Sequence, residues 1–251
     1  MTRILPLAAT LVAFLSVACG DPPPKQNPFE VKKDTVEPPP MKEAPKPEGP
    51  PEFSVAADGP KVGYSYLMLG KPEGKEKLAS AIREHEAHVR GKTVPLRVDR
   101  KARLAEVAEV MRALETGGAA AVSVSTDTRP EFPRSVAFAP RATASSARDC
   151  SVVAKVLSER KNAVWSVRGG TAVRSPKGLA GPDMAMTGES LANAARRCKD
   201  SSFVFVSADP DVEWGLVYDL AAATQVLEKV KLDKVVLLEP SPTAGRPVKL
   251  D

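Results

Sequence analysis

Side chains with chemical reach are few in this chain. Three cysteines and two histidines are spread over 251 residues. His85 and His88 stand three apart on an expected helix, a spacing that turns both rings to one side, yet only Glu84 and Glu86 lie close by and no third ligand follows. No metal centre and no cofactor are therefore expected. With so little histidine, nucleophilic catalysis through a His base has almost nothing to draw on. No Cys-x-x-Cys pair is present, which disfavours thiol redox chemistry. The acidic run Asp209, Asp211 and Glu213 would serve a hydrolase only if gathered in a cleft that shifts their pKa values. Glycines at Arg168-Gly169-Gly170 and from Gly178 to Gly188 lack the strand, GxGxxG and helix order of a phosphate loop, and read as turns. Arg196, Arg197 and Lys199 form a local basic cluster suited to an acidic partner, or equally to a solvated helix end. The expectation is a protein without catalytic residues that works by recognition.

Composition agrees with that expectation. The chain is 43% hydrophobic and 27% charged, enough apolar material for one large domain or two small ones. Its net charge of +5 is spread along the sequence and makes no concentrated nucleic-acid footprint.

The first residues read as an export address. Arg3 supplies a positive charge, Ile4 to Val17 is an apolar run, and Ala18 precedes Cys19. That run is shorter than the roughly 18 residues a membrane-spanning helix needs. Ser16-Val17-Ala18-Cys19-Gly20 resembles the bacterial lipoprotein lipobox, with Ser16 in place of the usual aliphatic residue. The resemblance implies a signal peptide over 1–18 and lipid on Cys19, which would anchor the body at a membrane facing the periplasm without spanning it. Residues 19–51 then form a tether. Eleven of the chain's 24 prolines lie there with alternating charges and too few large apolar residues for a core, so disorder is expected. Fully extended, such a segment reaches on the order of 95 Å.

Beyond residue 52 the chain repeats itself. Val94-Pro95-Leu96-Arg97-Val98-Asp99, followed by Leu104, Val107, Val110, Met111 and Leu114, lies without gaps on Val204-Phe205-Val206-Ser207-Ala208-Asp209, followed by Trp214, Val217, Leu220 and Ala221, at a constant offset of 110 residues. Short apolar runs, Ala119 to Val124 and Lys234 to Leu238, close the two copies. The spacing of Leu104, Val107, Ala108 and Met111, and of Trp214, Val217, Tyr218 and Ala221, predicts two helices with one buried face each. Gly117 and Gly118 should end the first, while the second should run on through Leu227 and Val230. Asp99 and Asp209 fall where a strand passes into the turn before a helix, where a carboxylate can accept backbone N–H bonds.

Each copy has a looser lead-in. Phe53 to Ala57 and Val62 to Leu69 flank Asp58-Gly59-Pro60 as a hairpin, with a helix over Pro72 to Arg90. Ala163 to Val167 and Thr171 to Arg174 suggest a second hairpin, and Thr187 a cap for a helix carrying Leu191, Ala194, Ala195 and Cys198. Ser135 to Ala139 is expected as a strand, and Ser146 to Arg160 as an extra helix that places Cys150, Val153, Ala154 and Leu157 inward. Cys150 and Cys198 would then be either a disulfide of an oxidising compartment or two buried thiols.

This order of hairpin, helix, strand closing on Asp, helix and strand resembles the periplasmic domain of the ExbD/TolR family of biopolymer-transport proteins. The segment from Phe203 to Gly215, with Asp209, Asp211 and Trp214, is similar to the family's strand, acidic turn and aromatic helix start; the first copy keeps Val98-Asp99 but carries Arg100, Lys101 and Arg103 around the turn. The resemblance implies an α/β (α+β) chain of two tandem two-layer domains, over 52–128 and 129–240, with a C-terminal tail over 241–251. It also implies a module that forms dimers and meets envelope partners, ExbB/TolQ-like or ExbD/TolR-like proteins or peptidoglycan. Family members that use the proton gradient carry an aspartate in a membrane helix just before this domain. Here a Pro-rich tether stands in that place, so an accessory or scaffold role in the envelope is expected rather than proton conduction. The other reading is a periplasmic receptor with a small-ligand cleft between the two domains.

Overall fold

Alternation in the first half of the folded body sets its architecture. In β1 (Phe53–Ala56), β4 (Thr93–Val98), β5 (Ala121–Ser125) and β6 (Ser135–Phe138) every second side chain is buried, so one face of these strands packs on a core and the other meets solvent. The computed structural model describes residues 49–144, 151–173, 179–180, 184–196, 203–227, 232 and 234–250. Within the first half, β2 (Gly59–Val62) folds back on β1, and β3 (Ser65–Tyr66) pairs with β2. Helix α1 (Pro72–Glu84) has Pro at its start, where no N–H is missed, and breaks at His85 before the short α2 (Glu86–Val89). Helix α3 (Leu104–Thr116) joins β4 to β5, and Gly118, at φ +88°, supplies the left-handed residue that ends it.

The second half repeats this order. Strands β7 (Val152–Val156) and β8 (Asn162–Arg168) form a hairpin, with β9 (Thr171–Val173) and β10 (Leu179–Ala180) both pairing on β8. Helix α4 (Met184–Ala195), β11 (Phe203–Ala208), α5 (Trp214–Gln225) and β12 (Lys234–Leu237) follow. Position for position at the offset of 110, Thr93 and Phe203 open their strands, Val98 and Ala208 close them, and Leu104 and Trp214 open their helices.

The described strands make one mixed sheet in the order β10-β8-β7-β11-β12-β6-β5-β4-β1-β2-β3. Outward from β6, the first copy reads β5, β4, β1, β2, and the second β12, β11, β7, β8, which are the corresponding strands. Since β6 is antiparallel to β5 and parallel to β12, the two sets run in opposite directions. Reversal of both order and direction is what a half-turn about an axis through the sheet near β6 produces. Glu48–Asp251 cluster as one compact unit, and one apolar core joins Leu96, Leu104 and Met111 of the first half to Val204, Trp214 and Leu220 of the second.

Several expectations change. The part of the segment expected as an extra helix over Ser146 to Arg160 that lies among the described residues holds β7, which pairs with β8, while the hairpin expected from Ala163 to Val167 and from Thr171 onward is present as β8–β9. Val152, Val153, Ala154 and Val156 are all buried, and a strand covered on both faces imitates helical spacing because it shows no alternation. Thr187 lies inside α4, buried and accepting a hydrogen bond from Asn162 Nδ2 at 2.9 Å, rather than capping the helix. Helix α5 stops at Gln225 and does not reach Leu227, while Val230 is outside the described residues. It is buried nearly all round instead of along one face, because β6, β7, β11 and α4 all pack against it.

A unit with one shared core should unfold as one. Leu104→Ala and Trp214→Ala are each expected to cost about 3–5 kcal/mol and to move the same single transition in urea denaturation. Separate transitions, with only one moved by each substitution, would contradict the shared core.

Candidate functional site

The two helix starts meet across the half-turn. Arg103 and Glu213, equivalent at the offset of 110, face each other in an isolated antiparallel bridge. Neither helix has a side-chain cap there. Instead, the first N–H groups of α5 find partners in the opposite half: Trp214 donates to the Ala102 carbonyl at 3.0 Å and Gly215 to the Arg100 carbonyl at 2.8 Å. Gly215 is needed, because a Cβ there would come within 3.0 Å of the Arg100 side chain. Arg100 then grips Asp219 of α5 with two parallel hydrogen bonds, at 3.0 and 2.9 Å. Asp219 is 6% exposed and also accepts from Thr128 Oγ1 at 2.6 Å. The bond to Asp219 raises the proton affinity of Arg100 still further. Beside it, burial and the Asp219 charge push the Tyr218 hydroxyl up to about 12, and that hydroxyl donates to the Pro133 carbonyl.

Next to this joint, a cleft of about 990 Å³ opens at the C-terminal ends of the parallel strands β1, β4 and β5. Sheets of this kind present ligand crevices at that end of their strands. Arg97, Arg100, Lys101, Arg129 and Arg134 line it, against Glu52, Asp99 and Asp127. Arg97 projects from the open face in a row of paired positions running Lys61, Ser54, Arg97, Ser125, Ser135 across the sheet.

The sequence-derived site residues divide into two groups. Asp99 accepts the Lys101 N–H at 2.7 Å on Oδ1, which folds the turn before α3. Asp209 accepts the Ser158 N–H at 3.0 Å and pairs with Lys155 at 2.7 Å, binding its turn to the β7–β8 hairpin. Burial opposes its ionisation, but Lys155 and the Ser158 N–H outweigh that and hold its carboxyl below the usual 3.8. Asp211 accepts from the Ser158 hydroxyl at 2.7 Å, and Trp214 is buried against Phe138 with its Nε1 donating to Thr126 Oγ1 at 2.8 Å. Arg196 is exposed at the end of α4 and donates to Asn193. Cys19, Cys150, Cys198, Arg197 and Lys199 lie outside the described residues. The described residues hold no metal-type cluster of His, Cys, Asp and Glu, and no helix among them is long and apolar enough to cross a membrane. Arg97, Arg129 and Arg134 were not singled out from the sequence; the one available signal was the basic turn Arg100, Lys101, Arg103, where the second copy has Pro210, Asp211 and Glu213.

Arg100→Ala, which leaves the Asp219 carboxylate buried without its cation, is expected to cost about 2–3 kcal/mol, measured by denaturant unfolding at pH 7. Asp209→Asn should cost about 1–2 kcal/mol at pH 7. Because the folded-state carboxyl is lowered, that contribution is present above the unfolded value and disappears as pH falls from about 3.8 through the folded value. Thermal unfolding of wild type and variant should therefore converge in strong acid; a difference that persists there would contradict the assignment.

No protein-family model, characterised protein or solved structure matches the chain.

Proposed function

We propose that this protein is a non-enzymatic, lipid-anchored envelope protein whose body is a fused pair of ExbD/TolR-like modules, acting as an accessory or scaffold subunit that binds envelope partners. The observation that carries this reading is the half-turn relation between two copies of the same strand and helix order. The resemblance implies a module that pairs with another, and a chain holding both members would supply that pair internally. A scaffold of this kind presents fixed surfaces on a rigid core, and the mutually satisfied Asp209, Asp211, Ser158 and Lys155 behave as structural groups rather than as poised acids and bases. Lipid on Cys19 and the Pro-rich tether would let that body reach partners well away from the bilayer.

The receptor reading draws on one observation, the cleft at the ends of β1, β4 and β5. That cleft lies within the first half, closed on one side by the 127–134 loop.

In a bacterial host, radiolabelled palmitate should enter the protein and the chain should fractionate with membranes, and Cys19→Ala should abolish both. Pulldown from solubilised envelopes should recover an ExbB/TolQ-like or ExbD/TolR-like protein, or bind purified peptidoglycan. Unlabelled protein, or a labelled protein that captures none of these, would contradict the anchor or the scaffold role respectively.

A further inference from the structure

The half-turn makes each half a control for the other, and the two halves treat the same place differently. In the first half the sheet face away from the helices is open: Ser54 and Ser123 are half-buried, and Arg97, Ser125, Ser135 and Ala137 are exposed. In the second half the position equivalent to Arg97 is Ser207, which is fully buried and accepts a hydrogen bond from Ser241 of the C-terminal segment at 3.2 Å. That segment continues over the hairpin, where Val248 donates to the Gly170 carbonyl and Ala172 donates to the Arg246 carbonyl, and Val248 packs with Trp165, Phe203 and Phe205. Lys155, at the position corresponding to Ser54, is neutralised by Asp209. The second half thus has an internal occupant and balanced charge at this place.

The first half has neither. Arg97, Lys101 and Arg134 form no ion pair among the described residues, and Arg129 meets Glu131 only at 3.9 Å with both side chains more than half exposed. Of the acidic groups lining the cleft, Asp99 is already engaged with the Lys101 N–H, while Glu52 and Asp127 are exposed and form no ion pair among the described residues, Asp127 acting at longer range on Arg100. Arg100 is held by Asp219, so it fixes the wall without being free for a ligand. Guanidinium groups present forked donors that match carboxylate and phosphate oxygens, and the serine hydroxyls beside Arg97 add donors of their own. A cleft of about 990 Å³ holds a ligand well above the size of a single ion.

We infer that the cleft of the first half, between Arg97, Lys101, Arg129 and Arg134, binds a small multivalent oxyanion, a molecule bearing two or more phosphate or carboxylate groups, and that the second half has lost this site to its own C-terminal segment. This goes beyond the scaffold reading and does not depend on the lipid anchor. The site recognises its ligand by charge and forked hydrogen bonds, with no bond made or broken.

The test is isothermal titration of the full chain in detergent with sodium pyrophosphate and, separately, with citrate, at ionic strength held constant with chloride. Saturable binding at one site per chain is expected, at least tenfold weaker in Arg97→Ala and in Arg134→Ala, partly restored in Arg97→Lys, and unchanged in Arg196→Ala. Tighter pyrophosphate binding assigns phosphate chemistry, and tighter citrate binding assigns carboxylate chemistry; either supports the site. Arg97 is exposed and forms no ion pair among the described residues, so its substitution should leave the melting temperature within a few degrees of wild type, and the Arg134 variant provides the same reading independently. Absence of saturable binding of both anions, or binding that survives Arg97→Ala and Arg134→Ala unchanged, would overturn the inference.

Discussion

The arrangement depends on how the first turn of α5 finds partners for its backbone N–H groups. A helix start with no capping side chain leaves donors that must be paired, since each buried and unpaired one costs about 1–3 kcal/mol. Glu213 at this cap makes no such bond, and the carbonyls of Ala102 and Arg100 accept instead. These acceptors belong to the equivalent turn of the other copy. The start of α5 is therefore completed by the first half, and the bidentate Arg100–Asp219 pair closes the same seam with a charge-assisted contact. At the far end of α3, Arg112 reaches the Glu239 carbonyl and carboxylate, and Arg141 meets Glu115. The two halves share one sheet and one apolar core, and polar contacts tie them together at both ends of α3.

At that joint the two halves carry opposite charge. Under exact symmetry Arg100 and its counterpart would face like partners, but position 210 is Pro, 211 is Asp and 213 is Glu, so a basic turn meets an acidic one across the axis. Opposite charges at this bridge favour the observed pairing over a copy meeting its own kind. The same divergence leaves the basic turn at the mouth of an open cleft, while the acidic turn is tied down by Lys155 and Ser158 beneath a sheet face that the C-terminal segment covers.

The repeat was legible to within a residue, its strands starting at Thr93 and Phe203 where the matched runs began at Val94 and Val204. Strand β4 and strand β11, and the starts of α3 and α5, fall where the offset of 110 placed them, because alternation in Thr93–Val98 and the buried run of Phe203–Ala208 each announce a strand between turns. Where both faces of an element are covered, that signal vanishes. Strand β7 then looked helical, and the all-round burial of α5 could not be separated from a one-sided helix. Trp214 was visible as a helix opener, but its contact with Phe138 of β6, a strand from between the copies, required the fold. The cleft was only half legible. Arg100 and Lys101 stood out as a departure at the turn, whereas Arg129 and Arg134 come from a loop whose path no periodicity describes, and Arg97 read simply as an outward residue of an alternating strand. Burial patterns carry information about neighbours along one element; convergence of side chains from three separate segments does not.

Arg103 and Glu213, equivalent at the offset of 110, face each other across the half-turn inside one chain, and a designed cross-link probes that contact. Facing residues of an antiparallel bridge have Cα atoms about 4.5–5.5 Å apart, within disulfide reach. In a chain whose three native cysteines are replaced by serine, Arg103→Cys with Glu213→Cys should oxidise to an intramolecular disulfide in the monomer, giving a faster band on non-reducing gels that dithiothreitol abolishes. Thiols that stay fully alkylatable under oxidation, or that link only one chain to another, would contradict it.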